Sequence, residues 1–133
     1  MLEYVATLPD FLAYLALSIV LLVAFVTAYV LVTPQHELPL IRKGNVSASI
    51  VFGGTLLGFA LPLASAVAHS VSLVDLLLWG AIAGIVQGIA SLLLRMVIRD
   101  LRAHIEGDRV SVAVTMASLK LAMGLLNAAA IVY

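Results

Sequence analysis

The chain has 133 residues, of which 64% are hydrophobic and 11% are charged, and its formal net charge is zero. A soluble domain typically contains about 45–50% apolar and about 25% charged residues, so this composition is typical of a membrane protein. A neutral chain has no electrostatic attraction for nucleic acid, and the absence of cysteine excludes disulfides and thiolate sites.

Four apolar stretches are each long enough to cross a hydrocarbon core of about 30 Å as a helix. In chain order they lie at about residues 11–32, 46–69, 73–98 and 110–132. Because they take up most of the chain, we expect residues 1–133 to form a single domain in the lipid bilayer. The predicted fold class is an all-α integral membrane protein with four transmembrane helices.

The basic residues, apart from Lys120, lie in two of the connecting regions. Arg42 and Lys43 follow the first predicted span, and a second group surrounds the loop after the third: Arg95, Arg99, Arg102 and Arg109. Positively charged loops stay on the cytoplasmic side of a membrane. This pattern therefore predicts that both basic loops are cytoplasmic and that the N- and C-termini lie outside.

The two halves of the chain resemble each other in sequence. Residues 44–67 align with residues 107–131 when one residue is inserted, so that "GN" in the first half pairs with "GD" in the second. We interpret the chain as two duplicated helical hairpins, at about residues 1–69 and 70–133. Each half holds an even number of spans, so both would enter the membrane in the same direction. Chance similarity between alanine-rich spans is the alternative.

Small residues recur at helical spacing on the second, third and fourth spans, and such residues let helix backbones approach closely in lipid. The candidate packing positions are Gly54, Gly58, Gly80, Gly84, Gly88 and Gly124. On the third span the same stripe also carries Gln87, Ser91 and Arg95. This stripe can serve packing within one subunit, an interface between subunits or a water-lined path.

Pro62 lies within the second predicted span. Proline cannot donate the hydrogen bond that would reach the Gly58 carbonyl, so we expect a bend in this helix and one freed acceptor. A bend alone is the simpler interpretation, and a carbonyl that binds a cation is the alternative.

Lys120 lies near the middle of the fourth predicted span, about ten residues or about 15 Å from its cytoplasmic end. A lysine at the centre of a membrane helix costs about 2.5–3.5 kcal/mol even on the more lenient scale, so its side chain should face protein or water. Thr55 and Gln87 lie at a similar depth. With Lys120 and Asn127 they form a predicted intramembrane polar layer.

No carboxylate lies within a predicted span at this depth, so Lys120 lacks an obvious ion-pair partner. Three interpretations stay open. The amine is neutral and bonded to Gln87 and backbone carbonyls, or it faces a hydrated pore or a lipid phosphate. In the third interpretation, the lysine contacts another subunit, or the fourth span is predicted at the wrong position.

Catalytic and metal-binding motifs are not visible in the sequence. His36, Glu37, His104 and Glu106 could meet in the cytoplasmic loops, but their spacing matches no standard ligand set. We expect them to be solvated loop residues. We expect no cofactor, no metal and no enzymatic activity, because the spans hold no nucleophile paired with a base.

The chain contains the segments "TPQHELPLIRKGN", "GGTLLGFALPLASA", "LWG" and "LLNAAAIVY". Together they resemble the YjfL-like inner-membrane proteins, a family catalogued as domain of unknown function 350, over nearly the whole chain. The resemblance implies a four-span protein of the bacterial inner membrane, built from two hairpins and without an assigned activity. It also implies an association with envelope stress. We do not count Lys120 as part of the family pattern.

Two functional hypotheses follow. Four spans are too few to enclose a roomy path and the small-residue stripes favour self-association, so we expect a homo-oligomer. The first hypothesis is an oligomeric component that conducts or transports an ion or small solute, with Thr55, Gln87 and Lys120 lining or gating the path. The second is a non-catalytic scaffold that recruits a cytoplasmic partner in envelope stress through its basic loops, which carry Arg42, Lys43, Arg99, Arg102 and Arg109.

Overall fold

The computed structural model describes residues 2–32 and 37–131, and this part of the chain folds into six helices. They are α1 (Leu2–Val32), α2 (Glu37–Arg42), α3 (Val46–His69), α4 (Leu73–Val97), α5 (Leu101–Glu106) and α6 (Val110–Ala130). Four of them, α1, α3, α4 and α6, are long and apolar enough to cross a membrane. This confirms the predicted all-α class with four membrane-length helices.

The clearest difference from the predicted helix boundaries is at the start of α1. α1 begins at Leu2 rather than near residue 11, because a helix can continue past the apolar stretch from which a span is predicted. Pro9 lies inside this helix, where it removes the one hydrogen bond that its nitrogen would donate. The predicted end of the fourth span at residue 132 lies outside the described residues.

The two basic connections each contain a short helix that hydropathy does not predict, namely α2 and α5. α5 buries Leu101 and Ile105 in an apolar cluster with residues of α3 and α6. We call this side of the molecule the basic end. It comprises α2, α5 and the adjoining ends of the four long helices.

Polar side chains join the two halves of the chain at the basic end. The Asn45 side chain accepts a hydrogen bond from the Ala48 amide at 2.8 Å, which caps α3, and it donates to the Ile105 carbonyl at 2.9 Å. Asp108 accepts a hydrogen bond from the Ser47 amide at 2.9 Å. That bond holds the pKa of the Asp108 carboxyl below its usual range. Each half of the chain therefore contributes one polar side chain that is hydrogen-bonded to the other half.

α3 and α6 form the most extensive helix pair of the bundle. Glycines allow their close contact: a Cβ built on Gly54 would lie 2.6 Å from the Ala117 Cα, and one on Gly58 would lie 2.9 Å from the Lys120 carbonyl oxygen. A Cβ built on Gly124 would overlap the Gly58 carbonyl oxygen. Any larger residue at these three positions would push the two helices apart.

α3 is continuous from Val46 to His69, with Pro62 inside it. Pro62 cannot donate to the Gly58 carbonyl, and this carbonyl lies against Gly124 of α6. The freed acceptor is therefore covered by a packed helix. A bend at this position stays a prediction.

α1 is the peripheral helix, and among its described side chains only Tyr29 is buried. The Phe25 ring stacks on the Phe59 ring of α3 with the centroids 4.2 Å apart. On α4, a Cβ built on Gly84 would lie 3.3 Å from the Phe59 ring, whereas one on Gly88 would meet no described atom within 4 Å. Gly88 therefore leaves open space beside α1.

We expect Gly124→Ala to destabilise the bundle, because the added methyl group would overlap the Gly58 carbonyl and separate α3 from α6. Overpacking of this kind typically costs about 1–3 kcal/mol of the free energy of unfolding. Gly53→Ala is the matched control, since it makes the same change in helix propensity where a Cβ meets no described atom within 4 Å. Thermal unfolding in detergent, followed by circular dichroism, measures the difference. Equal midpoints for the two variants would contradict the prediction.

Candidate functional site: a buried lysine network

The Lys120 side chain is enclosed by protein, with 2% of its surface exposed. Its Nζ donates hydrogen bonds to Thr55 Oγ1 at 2.6 Å and to the Tyr29 hydroxyl at 3.0 Å. The same nitrogen lies 4.6 Å from the centre of the Tyr29 ring, within the range of a cation–π interaction. The lysine from α6 is therefore held by side chains of α3 and α1.

The hydrogen-bonded chain continues from Tyr29 to a carboxylate. The Tyr29 hydroxyl donates to Glu37 Oε1 at 2.8 Å, and Glu37 is 4% exposed at the first position of α2. The prediction that Glu37 is a solvated loop residue is therefore wrong. α2 directs the Glu37 carboxylate toward the bundle. The Tyr29 side chain alone therefore connects Lys120 to a carboxylate, although no carboxylate lies within a span at that depth.

Opposing effects act on the acidity of Glu37. Burial raises the pKa of its carboxyl, while the Tyr29 hydrogen bond and the positive charges of Lys120 and Arg95 oppose that rise. Its second oxygen, Oε2, is buried and has no hydrogen-bond partner among the described residues. Glu37 therefore has one carboxyl oxygen bonded to Tyr29 and one that is still available as an acceptor.

Thr55 and Gln87 lie beside Lys120, at the depth where the sequence places them. The Thr55 hydroxyl accepts from the lysine and donates to the Val51 carbonyl at 3.1 Å. Gln87 is 1% exposed, and its Nε2 donates to the Lys120 carbonyl oxygen at 3.0 Å. Its Oε1 is buried without a partner among the residues described. Gln87 therefore contacts the lysine backbone and leaves an acceptor available nearby.

Asn127 does not join this network, although the sequence groups it with the polar layer. Its Nδ2 donates to the Ala83 carbonyl at 3.2 Å, and it lies seven residues beyond Lys120, about 10 Å farther along α6. The close contact of Gly58 with Gly124 lies between the two positions. Asn127 therefore belongs to the part of the bundle away from the basic end.

Two apolar clusters flank the lysine network along the bundle. One contains Val51 and Met116 on the side of the basic end, and the other contains Phe59 and Ala83 on the opposite side. A polar group enclosed between apolar layers has few competing partners, because water does not reach it freely. The hydrogen bonds of the network are therefore its main source of stabilisation.

Metal ligands do not assemble in the described part of the chain, where no three His, Asp or Glu side chains come together. His36, which the sequence grouped with Glu37, lies outside the described residues. His104 instead approaches Arg109, with its Nδ1 3.1 Å from the arginine nitrogen. The remaining member, Glu106, pairs with Arg102 at 2.9 Å on the exposed surface.

The residues of the predicted basic loops are all exposed at the basic end: Arg42, Lys43, Arg99, Arg102 and Arg109. The two loops lie side by side because Asn45 and Asp108 bond across from one to the other. They therefore place these basic residues at one end of the bundle, together with the exposed Asp100 and Glu106.

Comparisons with known proteins agree with the resemblance seen in the sequence. The model of the family described as Domain of Unknown Function (DUF350) matches residues 3–131. The UPF0719 inner membrane protein YjfL of Escherichia coli K12 is 34% identical over 123 residues, which cover 92% of this chain and 93% of that protein. The UPF0719 transmembrane protein YshE of Bacillus subtilis is 32% identical over 73 residues, covering 55% of this chain and 54% of that protein. No solved structure matches the chain.

We expect Tyr29→Phe to lower the free energy of unfolding by about 1–3 kcal/mol, because the Lys120 amine loses one acceptor and Glu37 Oε1 loses its donor. Tyr14→Phe is the matched control, since it removes a hydroxyl from the same helix outside the network. Chemical unfolding in mixed micelles measures the two losses.

The network also predicts that Tyr29→Phe and Lys120→Met are not additive in the same measurement, because the two side chains share one interaction. Equal losses for Tyr29→Phe and Tyr14→Phe, or simple additivity in the double variant, would show that the network does not hold the helices together.

Proposed function

We propose a proton-conducting function for this chain, which belongs to the DUF350 family and is a multi-pass protein of the bacterial inner membrane. In this function the chain is one subunit of a homo-oligomer that moves an ion across the bilayer. The observation that supports the proposal most directly is the hydrogen-bonded chain from Glu37 through Tyr29 to Lys120. It connects a carboxyl group at the basic end with an amine in the middle of a membrane-length helix.

A proton fits this geometry better than a larger ion or a solute. Lys120, Thr55 and Gln87 are each no more than 2% exposed, so the network encloses no wide passage. Protons pass between groups that are already hydrogen-bonded, and they need no opening wide enough for a hydrated ion. We therefore propose a proton path in place of the path for an ion or small solute that the sequence predicts.

The orientation of the hydrogen bonds defines one transfer step. The Lys120 ammonium gives a proton to the Tyr29 oxygen while the Tyr29 hydroxyl proton passes to Glu37 Oε1. The lysine becomes a neutral amine, the tyrosine is unchanged and the carboxylate becomes a carboxylic acid. Charge and proton number are conserved, and the proton has moved toward the basic end.

The basic end faces the cytoplasm in this proposal, and both termini lie outside. The support is the positive-inside rule, since the exposed Lys and Arg residues of the described loops gather at this end. Glu37 then releases its proton to the cytoplasmic side. We also propose that α1–α3 and α4–α6 are duplicated hairpins, because each set has a long, a short and a long helix in that order.

A barrier separates the network from the outer side of the bundle. Gly58 and Gly124 are in close contact, and the next polar groups beyond them are Asn127 and Ser65, whose hydroxyl donates to the Ala128 carbonyl at 2.8 Å. Protons therefore enter only when α3 and α6 separate here or when water reaches the lysine along a subunit interface. The unpaired Gln87 Oε1 is positioned to hold such a water molecule.

We expect the purified protein in liposomes to conduct protons when a potassium diffusion potential is applied, as followed by an enclosed pH-sensitive dye. Glu37→Gln and Lys120→Met should each lower the flux at least about tenfold, because each removes a proton-exchanging member of the chain. Arg102→Gln is the control, since this exposed side chain lies outside the network. Each variant is compared at equal reconstituted amount and with its thermal midpoint measured.

Two results would refute the proton function. One is a wild-type protein that assembles in liposomes and gives no flux above empty liposomes. The other is a flux that Glu37→Gln and Lys120→Met leave unchanged.

The exposed basic residues of the two adjacent loops favour a second function, in which the chain recruits a cytoplasmic partner to the membrane in envelope stress. A partner that crosslinks to the wild-type protein in membranes should be released when five basic residues are replaced with glutamine. These residues are Arg42, Lys43, Arg99, Arg102 and Arg109. Asp10→Asn with Asp75→Asn, at the opposite end of the bundle, is the control pair. If every crosslinked partner stays with the five-residue variant, this function is refuted.

A further inference from the structure

A groove of about 490 Å³ runs between α1 and α4 on the lipid-facing side of the bundle. Apolar residues line it from Leu21 to Val32 on α1 and from Gly80 to Leu92 on α4, and Arg95 lies at its basic end. Gly88 lines the groove and leaves it open there, since a Cβ built on Gly88 would meet no described atom within 4 Å. Its volume falls in the range of about 300–1,000 Å³ that is typical of ligand pockets.

The groove matches a lipid in length. From Gly80 to Arg95 it follows α4 for fifteen residues, or about 22 Å at 1.5 Å per residue. One leaflet of a hydrocarbon core of about 30 Å is about 15 Å thick. An acyl chain therefore fits in the groove with length left over for the glycerol and phosphate region at the basic end.

The charges at this end favour an anion. Lys120 and Arg95 both act electrostatically on Glu37. When all three groups are ionised, they carry one net positive charge. Basic pockets between membrane helices bind anionic lipid head groups, and arginine pairs with phosphate through two parallel hydrogen bonds.

We propose that this groove binds one anionic phospholipid, with an acyl chain between α1 and α4 and the phosphate at the Arg95 guanidinium. This site goes beyond the proton function and does not require the network to conduct. Arg95 is a headgroup-binding residue in this proposal, and Gly88 is the position that keeps room for the acyl chain.

A second copy of the chain is a poorer occupant of the same groove. The acidic residues of the four long helices are Glu3, Asp10 and Asp75, which belong to turns at the end opposite Arg95. The long helices of a parallel copy would therefore bring an apolar surface, with no acidic residue of their own, against the positive end of the groove. A phospholipid supplies both the apolar chain and the negative charge.

Native mass spectrometry of the full-length protein, titrated with phosphatidylglycerol or with phosphatidylcholine of the same acyl chains, tests the proposal. We expect the wild-type protein to retain one phosphatidylglycerol about fivefold more tightly than phosphatidylcholine. Arg95→Gln should abolish this preference, and Arg95→Lys should keep part of it because the charge remains. Thermal midpoints of both variants separate loss of binding from loss of folding.

The groove itself is tested by a pair of glycine variants. Gly88→Leu should weaken the binding of both lipids, because the new side chain fills the groove. Gly53→Leu is the control, since that glycine also has open space around it and does not line the groove. Binding of both lipids by Gly53→Leu should equal that of the wild type.

Three outcomes would overturn the proposal. The first is equal retention of the two lipids by the wild-type protein, or a preference that Arg95→Gln leaves intact. The second is displacement of phosphatidylglycerol by inorganic phosphate, which would indicate a site for the free anion. The third is a change of oligomer mass in Gly88→Leu with unchanged lipid binding, which would place a second copy in the groove. None of these measurements depends on proton flux.

Discussion

A lysine amine within a membrane-length helix must be solvated by polar groups, and in this protein the helices around it supply them. Lys120 belongs to α6, its Nζ bonds to Thr55 of α3 and Tyr29 of α1, and its carbonyl accepts from Gln87 of α4. Every long helix therefore contacts this one residue. The short helix α2 is drawn in as well, because Glu37 completes the chain beyond Tyr29. Lys120 thus lies at the level where all four long helices meet.

Close packing makes these short hydrogen bonds possible. Helices in lipid gain little from the hydrophobic effect against one another, so they associate through van der Waals contact and interhelical hydrogen bonds. Gly54, Gly58 and Gly124 bring α3 and α6 near enough for the lysine amine to lie 2.6 Å from the Thr55 hydroxyl. The glycine contacts and the polar network are therefore two parts of one interface, and a change in either alters the other.

The sequence predicts the part of this arrangement that depends on hydropathy and on depth along a helix. Hydropathy predicts the four spans, and counting residues from the basic loops predicts that Thr55, Gln87 and Lys120 lie at one level. The same counting could not find Tyr29 and Glu37, because it considers positions along spans and Glu37 lies on a short helix that folds back. Tyr29 lies three residues before the last residue of α1, outside the level that this counting considers.

Asn127 shows the opposite limit of sequence analysis. It lies on the same helical stripe as Lys120, yet seven residues separate the two, and the contact of Gly58 with Gly124 lies between them. Residues on one stripe share a direction around the helix axis, but they can lie at different heights along that axis. Only the packing of α3 on α6 reveals that the two polar groups lie on different sides of a closed contact.

The position of α1 links the lysine network to the groove between α1 and α4. α1 contributes Tyr29 to the network, and both Tyr29 and Phe25 line the groove, where Phe25 stacks on Phe59. Other apolar side chains of α1 pack against the apolar cluster that contains Phe59. A lipid bound in the proposed site would therefore contact α1, which carries the middle residue of the proposed proton path. Because Tyr29 would have to stay within hydrogen-bond distance of both Lys120 and Glu37, the fit of that lipid would affect the geometry that the proposed proton transfer requires.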